Sequence, residues 1–192
     1  MPKTEEQCRK MREDMRRKIL RESSLYFAKN GFGDTKIGDL AKCIGIGQGT
    51  IYLYFRSKEE LFEEIRAAAD NKEEVKRLKT LAKLPVPAKV KIEKLSEQMV
   101  KELRNNDEFA VKITLFTQLL LEKEEGPYAS EIYKELAKII RQGQKEGSAV
   151  RGDALYLADL YWGQIYLCAI KKLFVKDYKL VTKDSLCRIL EV

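Results

Sequence analysis

The sequence predicts an all-α protein of about nine helices, because apolar residues recur every three or four positions along most of its 192 residues. No run of alternating apolar and polar residues predicts a strand, and no internal repeat is present. Glycine and proline interrupt the helical pattern and predict short connections. With 44% hydrophobic and 35% charged residues, the composition is that of a globular protein with a real core.

The first predicted helix ends near Asn30, where Gly31 suits the position just after a helix. Its inner stripe is spaced by four residues and consists of Met15, Ile19, Ser23 and Phe27. Its first half carries five basic residues, which are Lys10, Arg12, Arg16, Arg17 and Lys18. Two interpretations stay open for them, contact with the phosphates of nucleic acid and a solvated basic face.

Two short helices facing each other across a glycine turn follow the first helix. Thr35 is the expected N-cap of the first of them, and Gly45 is expected to bend the chain with a positive φ. The second is predicted over residues 47–55, with Ile51 and Phe55 turned inward because they lie four positions apart. This arrangement is typical of a helix-turn-helix that reads DNA.

The other faces of the second short helix carry polar and aromatic side chains, which are Gln48, Thr50, Tyr52 and Tyr54. An amide on such a face can read the edge of adenine or guanine and contributes ~1–3 kcal/mol of discrimination. The alternatives are a plain exposed glutamine at Gln48 and core positions for the two tyrosines. Because Ile51 and Phe55 already fill the inward face, the pattern favours the DNA surface for the tyrosine hydroxyls.

The next helix is predicted to begin at Ser57, since Ser57 and Glu60 have the spacing of a capping box. Lys58 in its first turn would oppose the helix dipole, and a nearby phosphate would explain it. The charged run of residues 70–83 and the following prolines predict a domain boundary at about residues 70–87. We therefore expect a DNA-binding domain over 1–70 and a second helical domain over 71–192.

The second domain is predicted to contain helices over residues 88–104, 109–121, 128–144, 154–174 and 184–190. Those over 109–121 and 154–174 are apolar almost all round, which predicts central positions. Their side chains could line a cavity for a small ligand, because such cavities are mostly apolar with few polar groups. The candidate residues are Phe116, Gln118, Leu119, Tyr161, Trp162, Ile165 and Tyr166. The alternative is that they form plain core or a dimer seam.

The charge distribution favours nucleic acid as a partner. Lys and Arg number 37 against 30 Asp and Glu, a formal net charge of +7. The first 60 residues hold 13 of these bases against 9 acids, so the positive density lies beside the helix-turn-helix.

Nothing in the sequence predicts export or a membrane. No uncharged apolar stretch reaches ~18 residues, and the first residues lack the apolar centre of a signal peptide. Four scattered cysteines, Cys8, Cys43, Cys168 and Cys187, fit free thiols in a reducing cytosol. We therefore expect a cytoplasmic protein, with Cys8 and Cys43 as buried structural thiols rather than redox sensors.

The stretch from Ile19 to Ile65 resembles the DNA-binding domain of the TetR (tetracycline-repressor-like) family of transcriptional regulators. The matching positions are Ile19-Leu20, Phe27-Ala28, Gly31-Phe32, Thr35, Ile37, Asp39-Leu40-Ala41, Gly45, Gly49 to Tyr52, Tyr54-Phe55 and Ser57 to Phe62. Their joint spacing is specific, although it covers about a quarter of the chain. The rest of the chain matches the family only in length, helical character and a glycine-punctuated turn.

The resemblance implies a homodimer whose two recognition helices enter successive major grooves of a palindromic operator in double-stranded DNA. It also implies that the C-terminal domain pairs through its last two helices and binds a small-molecule effector, which releases the DNA. The expected function is therefore a repressor controlled by a small hydrophobic ligand, with no cofactor and no metal. The DNA-binding residues carried over from the family are Arg17, Thr35, Lys36, Gly47, Gln48, Gly49, Thr50, Tyr52, Tyr54 and Lys58.

Two positions depart from the family pattern. The family often has serine where this chain has Gly47, so a hydroxyl that could touch phosphate is absent. Lys36 stands where a second threonine is common and could reach phosphate by its charge or point to solvent.

Two other functions stay open. One is a ligand-independent architectural or protein-binding factor with the same fold. The other, less favoured, is an all-α enzyme. The chain has no histidine, no nucleophile elbow and no phosphate-cradling glycine loop.

Overall fold

The computed structural model describes residues 4–69, 71–121 and 127–192. Ten α-helices and a 3-10 turn make up the regular structure of these residues, and no β-strand forms among them. The helices are α1 (Glu5–Asn30), α2 (Ile37–Ile44), α3 (Gln48–Tyr54), α4 (Lys58–Ala68), α5 (Lys72–Lys83), α6 (Ala88–Asn105), α7 (Asp107–Leu121), α8 (Glu131–Glu146), α9 (Ala154–Phe174) and α10 (Lys183–Cys187), and the 3-10 turn is Pro127–Ala129. The predicted all-α fold class is confirmed.

The chain divides into two compact units, Met1–Ala69 and Asp70–Val192. In the first unit, α1 packs against α2 and α4, and α2 packs against α3. The predicted inner stripe of α1 is buried at Ile19, Ser23 and Phe27, while Met15 is only half-buried. The first unit is therefore a small helical core that supports two short helices.

Three phenylalanines fix the loop between α1 and α2. Phe32 in this loop stacks on Phe62 of α4, with ring centroids 4.1 Å apart. Both rings also meet Phe27 of α1 edge-on, at 5.6 and 5.7 Å. Such aromatic pairs contribute ~0.5–1.5 kcal/mol beyond the area they bury, so the loop leading into α2 is held on two sides.

In the second unit, α8 packs against α5, α6 and α9, while α9 also packs against α7. The central positions predicted for the helices over 109–121 and 154–174 are only partly correct for α9. This helix buries Tyr161 and Ile165 completely, but its other side is open to solvent and remains apolar. The exposed residues form what we call the α9 outer stripe, namely Tyr156, Leu160, Leu167 and Phe174.

The charged run after residue 70 is a helix, which the sequence did not predict. In α5, Leu78 is 3% exposed, and Val75 and Leu81 pack partly buried against the core of the second unit. An apolar stripe this narrow is masked by the surrounding lysines and glutamates. The segment predicted as a boundary therefore contributes a helix that packs against α8.

A buried lysine organises the proline-containing turn that follows α5. Lys91 is 2% exposed, and its Nζ donates to the Ala82 carbonyl and to Gln142 Oε1, both at 2.7 Å. Gln142 in turn donates to the Val86 carbonyl at 3.0 Å. Because a buried ammonium is tolerated only when it is hydrogen-bonded, this network fixes how α5, α6 and α8 meet.

None of the described helices is long and apolar enough to span a bilayer. The four cysteines are free thiols, as predicted. Cys168 and Cys187 are buried, but Cys8 and Cys43 are exposed. The prediction that Cys8 and Cys43 are buried is wrong, because both lie on the outer faces of their helices.

Candidate nucleic-acid interface

The turn between α2 and α3 depends on one glycine. Gly45 has φ 76° and ψ 36°, the left-handed conformation predicted for it. Its N–H donates to the Lys42 carbonyl at 3.1 Å, and the Ile46 N–H donates to the Ala41 carbonyl at 3.0 Å. These two bonds form a Schellman motif, which closes α2 and turns the chain directly into α3.

The helix α3 is anchored on one side and open on the other. Ile51 and the capping residue Phe55 are each 1% exposed, so the predicted inward pair is buried. Gln48 and Tyr52 are exposed on the opposite side, with Tyr52 46% exposed. Thr50 and Tyr54 are half-buried, and the two glycines Gly47 and Gly49 are exposed at the start of the helix.

An open cleft of about 630 Å³ lies between the starts of α2 and α4 and the side of α3. We call it the α2–α4 cleft, and it is lined by residues 35–39, Gln48, Tyr52 and residues 56–59. Gln48 lies across it close to α2, because a Cβ added at Gly38 would come within 3.5 Å of Gln48 Oε1. The fold thus brings five of the predicted contact residues, Thr35, Lys36, Gln48, Tyr52 and Lys58, to one concave surface.

The electrostatics of the α2–α4 cleft suit an anion. The first turns of α2 and α4 both open on it, and the N-terminus of a helix favours negative charge. Lys36 and Arg56 add two exposed cations. Of its two carboxylates, that of Asp39 is paired with Lys42 at 3.4 Å. A phosphate of a DNA backbone fits this combination of charges.

Lys58, predicted as a phosphate contact, has hydrogen-bond partners inside the protein. Its Nζ donates to the carbonyls of Phe32, Gly33 and Thr35 at 3.2, 3.3 and 3.2 Å. It also lies 4.3 Å from the centroid of the Phe32 ring. The cation in the first turn of α4 is therefore explained by the end of the preceding loop without any phosphate.

The helix starts also differ from the predicted caps. The N-cap of α2 is Lys36 rather than Thr35, and Thr35 is 5% exposed with its hydroxyl donating to the Gly31 carbonyl at 2.6 Å. Its side chain therefore serves the loop and is not presented to a ligand. At α4, Ser57 accepts from the Glu60 N–H at 3.1 Å as expected, but the Glu60 carboxylate accepts from the Arg56 N–H and the predicted reciprocal capping box is not formed.

The basic residues of α1 have different roles. Arg16 pairs with Glu64 of α4 at 2.5 Å and lies 5.1 Å from the centroid of the Phe55 ring, so it supports the fold. Arg17 is exposed, pairs only with Asp14 at 2.9 Å among the described residues and lies outside the α2–α4 cleft. An exposed pair of this kind contributes little and leaves Arg17 able to reach a phosphate.

Two surface residues were not among the predicted contacts. Leu53 is 82% exposed on α3, and Arg56 lines the α2–α4 cleft. Leu53 was missed because an apolar residue in a helix is ordinarily assigned to the core. Its position two residues after the buried Ile51 places it on the outer face and could have identified it.

We expect Lys58→Met to destabilise the first unit by about 1–2 kcal/mol, because three carbonyls lose a charged donor. Urea unfolding followed by far-UV circular dichroism would measure this loss. The matched control is Lys36→Met, which removes an exposed cation from the same cleft and should leave stability unchanged. If Lys58→Met unfolds at the wild-type urea concentration, the three hydrogen bonds have no structural role.

The candidate ligand residues of the second unit lie on α7 and α9, which pack against each other. Tyr161 and Ile165 are completely buried, and Trp162 is 8% exposed. The others, Phe116, Gln118, Leu119 and Tyr166, are half-buried. Tyr161 shares a hydrogen bond of 3.0 Å with Ser96, and burial raises the pKa of its hydroxyl.

Two donors in this part of the core have no protein acceptor among the described residues. They are the indole Nε1 of Trp162 and the hydroxyl of Thr114 on α7. Thr114 is 0% exposed and was not among the predicted ligand residues. Because buried donors are nearly always hydrogen-bonded, two on adjacent helices point to an acceptor that the described residues do not supply.

Comparison with known proteins agrees with this geometry. Residues 19–65 match the family profile described as "Bacterial regulatory proteins, tetR family". The uncharacterized HTH-type transcriptional regulator YhgD of Bacillus subtilis (strain 168) is 40% identical over 52 residues, which are 27% of this chain and 27% of YhgD. The HTH-type transcriptional regulator AcrR of Shigella flexneri is 36% identical over 53 residues, which are 28% of this chain and 25% of AcrR.

Solved structures match most of the chain. The TetR family transcriptional regulator PfmR from Thermus thermophilus aligns with a TM-score of 0.56, covering 88% of this chain and 92% of PfmR at 19% identity. At that identity the match shows a shared fold. The aligned segments span about a quarter of the length of the curated relatives.

The first unit has a buried helical core that supports α2 and α3, which are joined through the left-handed Gly45. The amide of Gln48 and the phenol of Tyr52 are exposed on α3. This arrangement defines a helix-turn-helix protein. Residues 19–65 carry the similarity to bacterial regulatory proteins of the tetR family, and the chain shares the fold of one such regulator.

Proposed function

We propose that the chain is a sequence-specific DNA-binding transcriptional repressor. The observation that carries the proposal is α3, whose exposed Gln48, Tyr52 and Leu53 stand beside the α2–α4 cleft while Ile51 and Phe55 hold it in place. Gln48 supplies an amide for a base edge, and Leu53 supplies apolar contact for a thymine methyl. Lys36, Arg56 and the first turns of α2 and α4 supply the phosphate contacts.

Selection from a random duplex library, followed by gel shifts over a salt series, tests this proposal. We expect an inverted-repeat site, with half-site centres about 10 base pairs apart or a multiple of that. The affinity should fall steeply with salt, because several phosphates are neutralised per half-site. The proposal would be contradicted if the selection recovers no common sequence, or if the affinity for DNA does not change with salt concentration.

We further propose that the repressor is a homodimer paired through the α9 outer stripe. The stripe exposes four large apolar side chains, and Gly163 between Leu160 and Leu167 leaves room for close approach of a second helix. The family resemblance implies pairing through the last two helices, and in this chain α10 has five residues and buries Leu186 and Cys187 in its own protomer. Ala169, a second small residue of α9, is 0% exposed and lies inside the protomer.

The effector that we propose is a small, mostly apolar molecule with at least one hydrogen-bond acceptor. The surroundings of Trp162 are apolar, and the unpaired indole Nε1 and Thr114 hydroxyl would meet that acceptor. A molecule of this kind that alters the packing of α7 against α9 could release the DNA.

A melting-temperature screen of small apolar compounds tests the effector proposal. A true effector should raise the melting temperature and lower operator affinity in the same concentration range. Trp162→Phe keeps the ring but removes the donor, so it should weaken the effector about fivefold. The matched control is Tyr178→Phe, which lies outside α7 and α9 and should leave the affinity for the effector unchanged.

A ligand-independent architectural or protein-binding factor is the second candidate. It is favoured by the complete burial of Tyr161 and Ile165 and by the Tyr161–Ser96 hydrogen bond, which are typical of a filled core. A screen in which no compound shifts melting, combined with firm operator binding, would favour this alternative.

A further inference from the structure

A second open cleft lies in the Asp70–Val192 unit, away from α7 and from α9. It has a volume of about 540 Å³ and runs along α5 to the start of α8. We call it the α5 lysine cleft. Its lining includes Lys72, Lys76, Lys79 and Lys83, together with Val75 and Glu131. The volume is within the range of small-molecule sites.

The four lysines share one face of α5, because they are spaced by four, three and four residues. Among the described residues of the lining, Glu131 is the only acid, and it stands against the three positive charges of Lys76, Lys79 and Lys83. Lys79 bonds Glu131 at 2.7 Å, and this hydrogen bond raises the pKa of the Lys79 ammonium. Among the described residues, no carboxylate lies within 4.0 Å of the ammonium of Lys76 or Lys83.

This arrangement is unfavourable for the helix alone. Like charges three or four residues apart on one face of a helix repel, and Lys76, Lys79 and Lys83 are spaced in this way. The amide Nδ2 of Asn71, at the end of the same cleft, is a shielded donor without an acceptor among the described residues. A bound anion would relieve the repulsion and could supply that acceptor.

The spacing selects the kind of anion. Lys76 and Lys83 are seven residues apart, which is about 10 Å along the helix, so with extended side chains they can hold two separate anionic groups. Glu131 at the wall would repel a continuous run of phosphates such as duplex DNA, whereas a compact ligand can avoid it. Val75 and the aliphatic parts of the lysines offer an apolar surface for the remainder of the ligand.

We propose that the α5 lysine cleft binds a small organic anion with two or more phosphate groups, of the class of nucleoside polyphosphates. Lys76 and Lys83 each bind a different phosphate group of the ligand. Lys79, which is paired with Glu131, forms one side of the site. The site is separate from both the α2–α4 cleft and the proposed effector site between α7 and α9.

Isothermal titration calorimetry on the full chain, with ATP and without DNA, is the test. The double variant K76Q/K83Q removes two exposed charges, and K76R/K83R keeps them. The matched control is K94Q/K101Q, which changes two exposed lysines on α6. We expect ATP to bind the wild type, the arginine variant and the control alike, and to bind K76Q/K83Q at least about tenfold more weakly.

Two further ligands identify which part of ATP is recognised. Inorganic pyrophosphate should bind with the same sensitivity to K76Q/K83Q, and adenosine should not bind. Circular dichroism and melting of each variant establish that it is folded.

The proposal is overturned if ATP does not bind the wild type, or if the α6 control loses as much affinity as K76Q/K83Q, which would indicate diffuse attraction. It is also overturned if K76Q/K83Q impairs only DNA binding, since the lysines would then serve the duplex. Because the titration contains no DNA, its result is independent of the proposed operator binding.

Discussion

Leu53→Asp is expected to abolish specific operator binding, with at least a roughly 100-fold loss of affinity. The substitution places a carboxylate at the most exposed position of α3, 82% open to solvent, where it would face DNA phosphates in each of two half-sites. Like charges brought together at an interface cost several kcal/mol, so the loss should exceed that of a simple truncation. Fluorescence anisotropy with the selected operator would measure it.

The effect of Leu53→Asp should be confined to DNA binding and should not extend to the stability of the fold. Because Leu53 buries little of its side chain, Leu53→Asp should change the free energy of unfolding by less than about 0.5 kcal/mol. Leu121→Asp is the matched control, since Leu121 is 62% exposed in the other unit. If Leu53→Asp and the wild type bind the operator with equal affinity, α3 is not the helix that contacts the bases.

The double variant L160D/L167D is expected to convert the dimer into a monomer. Leu160 and Leu167 are 43% and 42% exposed at the middle of the α9 outer stripe, so pairing would bury two carboxylates against apolar groups. Light scattering after size exclusion should give the 22.2 kDa of one chain for the variant and twice that for the wild type.

Loss of pairing should also lower operator affinity by about 100-fold or more, since the second half-site no longer binds intramolecularly. The control is L84D/L121D, which changes two exposed leucines outside α9. A wild-type protein that elutes as a monomer at all concentrations, or a double variant that remains dimeric, would show that the stripe is not the dimer interface.

The sequence identified the elements that depend on local rules. The left-handed Gly45, the buried pair Ile51 and Phe55, and the bounds of α9 all follow from glycine chemistry and a period of 3.6 residues. These features need no knowledge of distant partners, so the helix-turn-helix could be recognised before any coordinates were considered.

The errors arose where the decisive contact is distant in sequence. Lys58 donates to carbonyls up to 26 positions earlier in the chain. These partners leave no periodic signal near the lysine. Helix α5 was missed because only Leu78 is fully buried, and its other stabilising contacts come from α8.

The candidate site was predicted more completely in the first unit than in the second. Lys36, Gln48 and Tyr52, which the resemblance names as DNA contacts, line one cleft, because residues on two short adjacent helices have few possible arrangements. In the second unit a residue such as Thr114 becomes notable only when its burial and its missing partner are known. Such a property depends on three-dimensional packing rather than on order along the chain.

The helix starts of the first unit differ in a way that bears on how quickly the protein finds its target. Side chains of Thr4 and Ser57 close the first turns of α1 and α4, whereas α2 and α3 begin at Lys36 and Gly47 without any such hydrogen bond. The Asp39 and Thr50 amides donate to the backbone carbonyls of Lys36 and Gly47, but no side chain closes these two turns, so they should exchange hydrogen faster than their neighbours. Flexible helix starts of this kind can move along DNA of unrelated sequence and become ordered only on the operator. Specific binding would then be accompanied by a local gain of order.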